Sequence, residues 1–487
     1  MDLREIADWI GIFFENAVLV YGLILLAVYA LLALLSFFAI RRYTRSASLS
    51  DLHQDLLTSP LAPGITVLAP AYNEGMTIIQ NVRSLLTLNY PEFEIIIVND
   101  GSTDDTLEKL TAEFDLVQVE FAYHAPIPTQ PVRGFYKSNN PAYAKLLIID
   151  KVNGKSKADA VNVGINAAGF DYFVCTDVDC ILHNDTLMEL IKPVLQEPKK
   201  RMIAVGATLR LANSCEFDDG VMVRMRPPEQ WLPRFQEVEY IRSFVLGKMG
   251  WSAINSVPNV SGGLGLFDKK IAIHAGGYDH KSFGEDMELM FRMCRFAKDN
   301  GIDYAIRYIP KTLCWTEGPA SIKVFMRQRS RWAKGLAQLM YAHLSMFMRP
   351  RYGRMGMVVL PYNFFFELLA PIIEALGVLS YVLLAIFGMI NWPFALLLLG
   401  FVYTYSVMIT TMAIVWDQLA FRYYRSWREV GKLCIMPFFE FLLYHPMIVI
   451  FSLKGYLDFL TGKKAAWGNM QRQGFSQQKK KAPAAGL

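Results

Sequence analysis

The chain has 487 residues, of which 53% are hydrophobic and 19% charged, with a mean hydropathy of +0.24. That is too apolar for an ordinary soluble enzyme and calls for a search for membrane spans. The formal net charge of +5 is small, belongs partly to the flanks of apolar segments, and gives no nucleic-acid signal.

Asn16 to Ile40 carries no charge and is long enough to cross a bilayer. Acidic residues precede it and no small-residue cleavage site follows, so it reads as an anchor and not as a signal peptide. Arg41, Arg42 and Arg45 come next. The positive-inside rule then places the N-terminus outside and residues 41–350 in the cytoplasm.

From Ile65 to Arg327 the charge is ordinary and apolar runs are short. The runs are "ITVLAPAYNEG", "FEIIIVNDGSTDDT", "AKLLIIDK", "DYFVCTDVD" and "RMIAVGATLR". Continuous apolar runs of this length predict buried parallel strands, with helices such as 77–88 and 103–114 between them. Ligands of such sheets bind beyond the carboxyl ends of the strands. Polar groups collect there: Asn73 and Glu74, Asn99 and Asp100, Asp177 and Asp179.

At a strand end, residues i and i+2 point to one side, so Asp177 and Asp179 are expected to face one cation. Converging carboxylates repel and need a metal or a proton. Mg2+ or Mn2+, held by one or two carboxylates and substrate phosphates, meets that need. The plainer alternative is a pair of acids capping a turn. In "VNDGSTDDT", Asp100 ends the strand, Gly101 permits the turn, and Ser102 or Thr103 can cap the next helix. Lys157 lies ahead of a helix, where it can meet phosphate or simply be solvated. Glu285 and Asp286 open an amphipathic helix, where acids also favour the dipole.

In "RQRSRWAKG", Gln328, Arg331 and Trp332 fall at i, i+3 and i+4 and share one helical face. The alternative is an interfacial amphipathic helix with an anchoring Trp. Arg329 and Lys334 are expected to lie elsewhere and to snorkel toward lipid headgroups. The chain turns apolar again at Met355. Leu368–Ile390 and Phe394–Trp416 read as spans; Leu433–Leu453 is poorer, holding Pro437, Glu440, His445 and Pro446. Three crossings leave the tail outside, whereas Lys463, Lys464, Arg472 and Lys479 to Lys481 favour the inside. A re-entrant or interfacial 433–460 removes that conflict, and the last residues read as a disordered end. Asn363, Glu367 and Glu374 recur near one face, where acids in an apolar segment face a cavity or partner. Alternatively, Asn363 and Glu367 sit at the water interface, because prolines interrupt the segment. The six cysteines form no CxxC pair and fit buried, reduced thiols.

The ordered set "PAYNE", "VNDGSTDDT", "KADAVN", "DVD", "QEVEYIRSF", "SGGLGLFDK", "GEDMEL", "WTE" and "QRSRW" resembles the membrane-integrated, processive branch of family 2 glycosyltransferases. That branch makes cellulose, hyaluronan, chitin-type polymers and poly-N-acetylglucosamine. The likeness runs from Ile65 to about Leu376 and is nearer the poly-N-acetylglucosamine synthases than the cellulose synthases. It implies an α/β GT-A-type domain with a mixed, mainly parallel sheet, inserted between transmembrane helices and accompanied by interfacial amphipathic helices. The implied division is 1–45 for the first transmembrane helix, 46–320 for a cytosolic GT-A domain, 321–366 for interfacial helices, 367–462 for a transmembrane region and 463–487 for a basic tail.

By the same resemblance, Tyr72, Asn73, Glu74 and Asp100 bind base and ribose, and Lys157 approaches the diphosphate. "NGKSKADA" is a residue longer than the usual Gly-Gly-Lys form, which makes Lys155 a rival to Lys157. Asp177 and Asp179 are the metal pair, Asp286 the general base, and Gln328, Arg331 and Trp332 the QxxRW motif beside the acceptor. The implied activity is an inverting transfer from a UDP-sugar, with Mg2+ or Mn2+, to a growing glycan at the cytoplasmic face of the inner membrane. The implied partners are membrane lipids and no nucleic acid, with accessory export or regulatory subunits left open. Two other readings stay open: transfer of a single sugar to a membrane lipid, and a non-catalytic sugar-nucleotide sensor or export subunit.

Overall fold

The short apolar runs form one sheet because most are buried on both faces and only neighbouring strands can take up their backbone hydrogen bonds. The computed structural model describes residues 3–49, 59, 62–218 and 221–463. Its strands are β1 (Ile65–Ala71), β2 (Phe93–Asn99), β3 (Leu116–Val119), β4 (Val132–Ser138), β5 (Leu146–Lys151), β6 (Tyr172–Thr176), β7 (Ile181–Leu182), β8 (Arg201–Leu211), β9 (Glu216–Asp218), β10 (Val221–Arg224), β11 (Leu264–Asp268) and β12 (Tyr304–Thr316). Ten of them make a mixed sheet in the order β3-β4-β5-β2-β1-β6-β11-β8-β12-β7, and β9 pairs with β10.

The strands β5, β2, β1 and β6 run parallel, as expected. The helix Lys157–Ala167, buried nearly all round, packs on β1 and β2. β8 departs from the expected parallel series. It does not pair with β6; β11 lies between them and is antiparallel to both. Five residues, with Gly265 second among them, carry too little periodicity to announce such a strand.

The described residues divide into two units. The sheet unit holds 44–49, 59, 62–218, 221–233 and 257–319; the other gathers 3–43, 234–256 and 320–463. In the second unit four helices are long and apolar enough to cross a membrane: Asn16–Arg45, Met355–Ile386, Trp392–Phe421 and Trp427–Leu460. The last is built in pieces, Trp427–Cys434, Met436–Phe439, a wide turn Glu440–Tyr444 and His445–Leu460. Pro437 and Pro446 each fall in the first turn of a piece. There the missing N–H had no intrahelical partner to lose. Glu367 accepts from Tyr362 Oη at 3.1 Å, and Glu374 meets His445 Nε2 at 2.7 Å, so both acids are satisfied inside the unit. Of the basic tail, only Lys463 falls within the described residues; Lys464, Arg472 and Lys479 to Lys481 lie outside them.

Arg329 and Lys334 do not snorkel. Each is only 6% exposed. The helix Trp231–Ile241 brings Glu239 to Arg329, which donates two hydrogen bonds to it at 2.6 and 2.7 Å. Tyr444 Oη joins both and stacks between Phe235 and Phe325. Burial alone disfavours the Arg329 guanidinium, yet Glu239 outweighs it and holds the pKa above the usual arginine value. A second pair, Arg242 with Glu440 at 2.8 Å, ties the following turn to the broken helix. Lys334 donates to the Lys463 carbonyl at 2.5 Å.

Glu239→Ala leaves Arg329 buried without its carboxylate, and is expected to cost about 3–5 kcal/mol of stability. Thermal unfolding in detergent reads this directly. Glu239→Leu combined with Arg329→Met should recover much of the loss, since apolar replacements remove both desolvation costs.

Candidate active site

The first element of the site is a turn. β6 ends at Thr176, and Asp177 to Asp179 leave it in a turn closed by the Cys180 N–H donating to the Asp177 carbonyl at 3.0 Å. One ligand atom each from Asp177, Asp179 and Cys180 lies within 4.8 Å of the others. The expected pleat of a strand end is therefore not what gathers the two acids; the turn does it.

The second element arrives through pairing. β11 sets Leu264 opposite Thr176, which delivers the Ser261–Gly263 turn beside the acids. Thr176 Oγ1 donates to the Gly263 carbonyl at 2.9 Å and pins the turn there.

The third is Lys157, first residue of its helix. Ser156 caps that helix by accepting from Ala158 N–H at 3.2 Å. The Lys157 ammonium pairs with Asp177 and donates to the Gly262 carbonyl at 2.9 Å. Burial opposes the charge, but Asp177, with Glu285 behind it, outweighs burial and holds the pKa well above the usual lysine value. Burial also raises the Cys175 thiol to about 11, so that group stays protonated beneath the site. Lys155 is exposed, sits at φ +55° and binds its N–H to Asn153 Oδ1 at 2.6 Å.

Asp286 is the second residue of the helix Glu285–Asp299, where the dipole favours an acid. Its Oδ1 accepts from Met287 N–H at 2.8 Å. Its Oδ2 faces Gly262: a Cβ there would lie 3.5 Å from Asp286 Oδ2 and 3.8 Å from Lys157 Nζ. The space left by this glycine is bounded by the candidate base on one side and the candidate diphosphate lysine on the other.

The loop after β1 and the loop after β2 are stitched together. Asn73, at φ +55°, donates its N–H to Ser102 Oγ at 3.0 Å and accepts from Thr103 N–H at 2.8 Å. Glu74 donates its N–H to Thr106 Oγ1 at 3.0 Å, and Tyr72 remains 43% exposed. Ser102 and Thr103 do not cap the next helix, Thr106–Phe114. Asp104 accepts from Thr106 N–H at 3.1 Å, because Ser102 is turned to Asn99 Oδ1 at 2.5 Å. Gly101 sits at φ +63°, and a Cβ there would come within 2.8 Å of Asn153 N, so only glycine lets the β2 and β5 loops approach. Asp100, at the end of β2, is buried.

Gln328, Arg331 and Trp332 belong to the other unit. They share a face of the helix Ile322–Ala342, with Gln328 and Arg331 half-buried and Trp332 39% exposed. The Arg329 guanidinium lies 4.6 Å from the Trp332 ring centroid and covers part of that ring. Two residues escaped the reading of the sequence: Thr176, which pins the Ser261–Gly263 turn, and Lys151, which pairs with Asp100. Only Lys151 left a signal, a charge closing an apolar run.

Residues 66–121 match the family described as "Glycosyl transferase family 2", and residues 138–335 the one described as "Glycosyltransferase like family 2". The chain belongs to glycosyltransferase family 2. This family 2 glycosyltransferase is 28% identical over 314 residues to a poly-beta-1,6-N-acetyl-D-glucosamine synthase of Staphylococcus epidermidis, covering 64% of this chain and 63% of that protein. It is also 28% identical over 272 residues to the Staphylococcus aureus (strain COL) protein of the same name, covering 56% and 54%. The chain thus spans less than two thirds of the length of these curated relatives. A mannosyltransferase from Pyrobaculum calidifontis, solved with GDP-Man and Mn2+, aligns over 90% of this chain and 100% of its own at a TM-score of 0.51 and 17% identity. That likeness is one of fold, and the fold is of GT-A type.

Proposed function

We propose that the protein is an inverting membrane glycosyltransferase that polymerises a β-linked polysaccharide from a UDP-sugar. UDP-N-acetylglucosamine is the donor favoured by the similarity to poly-N-acetylglucosamine synthases, with UDP-glucose next. The observation that carries the reading is the Gly262 gap, flanked by Asp286 Oδ2 and the Lys157 ammonium. An acceptor hydroxyl in that gap gives its proton to Asp286 as its oxygen attacks the anomeric carbon. The bond from that carbon to the diphosphate breaks in the same displacement, and UDP leaves with the bonding pair. One displacement with one base inverts the centre, so an α-linked donor yields a β-linked product. Lys157 stabilises the departing diphosphate.

The oxygen donors of Asp177 and Asp179, close together beyond a strand end, suit a hard cation. Mg2+ or Mn2+ held there supplies charge neutralisation for the leaving group. The four long apolar helices support a protein of the inner membrane that moves its own product across it.

Purified protein given a panel of UDP-sugars, with UDP release and product mass recorded, tests the reading. Long chains at low enzyme-to-donor ratio are expected. A singly glycosylated lipid across all donors would replace the polymerase by a lipid glycosyltransferase. Trp332→Ala should keep UDP binding and shift the product to short oligomers and free sugar, because an aromatic face that holds the acceptor ring is lost. Unchanged chain length in that variant would remove Trp332 from the acceptor site.

A further inference from the structure

Arg329 and Lys334 spend their charge inside the protein. A second basic cluster does not. Between the apolar helices Trp392–Phe421 and Trp427–Leu460 the chain reads "RYYRSWREVGK", Arg422 to Lys432. Its four cations against one carboxylate leave a formal charge of +3. Arg422, Arg425, Arg428 and Lys432 are all exposed, and none forms an ion pair among the described residues. The turn at the other ends of the neighbouring apolar helices, Phe387 to Asn391, holds no charge at all.

The basic turn is firmly built. Gln418 grips Tyr424 from both sides: its Nε2 donates to the Tyr424 carbonyl at 2.8 Å, and its Oε1 accepts from Tyr424 N–H at 3.1 Å. Tyr424, only 3% exposed, donates from its hydroxyl to Glu237 at 2.9 Å. The one acid, Glu429, is folded back onto backbone and accepts from Arg425 N–H at 3.1 Å in a capping box with Ser426. Arg422 ends its helix at φ +52°, a left-handed position that usually falls to glycine. The short helix Trp427–Cys434 then buries Val430 and Leu433. Its open side carries Arg428 and Lys432, one turn apart, with Trp427 63% and Ile435 56% exposed.

We infer that this turn and short helix are a docking surface for anionic phospholipid headgroups, of the phosphatidylglycerol type. Its place follows from the helices it joins, since a turn between two membrane-crossing segments lies at the headgroup level. The orientation expected from the sequence sets 41–350 in the cytoplasm; Met355–Ile386 then leads out and Trp392–Phe421 leads back, so the turn meets the cytoplasmic leaflet. Anionic lipid there attracts basic residues beside a span. Guanidinium forks match phosphate oxygens, and an exposed Trp suits the boundary between headgroup and acyl chain. A zwitterionic headgroup would leave the excess positive charge unbalanced.

The test uses full-length protein in neutral detergent, given equal amounts of phosphatidylglycerol and phosphatidylcholine. Native mass spectrometry counts the lipid retained. The turn variant combines Arg425→Gln, Arg428→Gln and Lys432→Gln, and leaves Arg422 to hold the helix end. A control variant, Lys199→Gln with Lys200→Gln and Lys270→Gln, removes three exposed charges from the sheet unit. Wild type should retain phosphatidylglycerol over phosphatidylcholine. That preference should fall about tenfold or more in the turn variant and stay native in the control. Added salt should weaken it, and inorganic phosphate should not displace the lipid. If the turn variant melts below the native temperature, Arg428→Gln with Lys432→Gln, both on an open helical side, replaces it and should cost about fivefold or more. Wild type that holds the two lipids equally overturns the inference. So does a folded variant with the native preference, an equal loss in the control, or full displacement by phosphate, which would make this a soluble-anion site. The readout does not depend on sugar transfer: protein that selects phosphatidylglycerol but turns over no UDP-sugar removes the glycosyltransfer reading alone.

Discussion

Asp286→Asn is expected to lower glycan formation by about 10²–10⁴-fold, the range of a lost general base. The substitution is nearly isosteric, and the amide oxygen can still accept from Met287 N–H, so the start of the helix Glu285–Asp299 should survive. UDP binding should stay near normal, since the interactions assigned to the nucleotide lie elsewhere. What is lost is the acceptor for the proton at the Gly262 gap. Initial rates of UDP release, set beside calorimetric UDP affinity, separate the two effects. Near-normal turnover would reduce Asp286 to a helix cap.

Chelation is the second large effect. Excess EDTA should abolish UDP release, and returning Mg2+ or Mn2+ should restore it. Without a cation, Asp177 is compensated by Lys157 on one side only, and Asp179 stands close by. The diphosphate would add further negative charge to this cluster, which like charges resist. Asp179→Ala should mimic chelation, and added metal should not rescue it. Its melting temperature should stay close to the native value, because the turn is closed by the backbone bond from Cys180 to Asp177. Full activity in excess chelator defeats the metal assignment.

Several features were legible in the order of residues. The apolar runs at β1, β2, β5 and β6 could only be buried strands, and their polar ends marked the ligand side of the sheet. The uncharged stretch from Asn16 and the apolar stretches after Met355 announced long apolar helices. The spacing of Gln328, Arg331 and Trp332 placed them on one helical face. These are local statements, each fixed by the period of an element or by the length of an apolar run.

Other features depended on partners far along the chain. The acids of "DVD" are gathered by a turn, which the alternation of a strand could not show. The glycine turn reaches them only because β11 pairs with β6, 88 residues apart at Leu264 and Thr176. Arg329 looked like a headgroup-seeking arginine because its own helix offers no carboxylate to hold it. Its partner, Glu239, comes from a helix 90 residues earlier. Lys151 drew no reading of its own until the β2–β5 register set it against Asp100. In each case an isolated charge or glycine is ambiguous, because its free energy is decided by what desolvates and pairs with it, and that is a property of the packed chain.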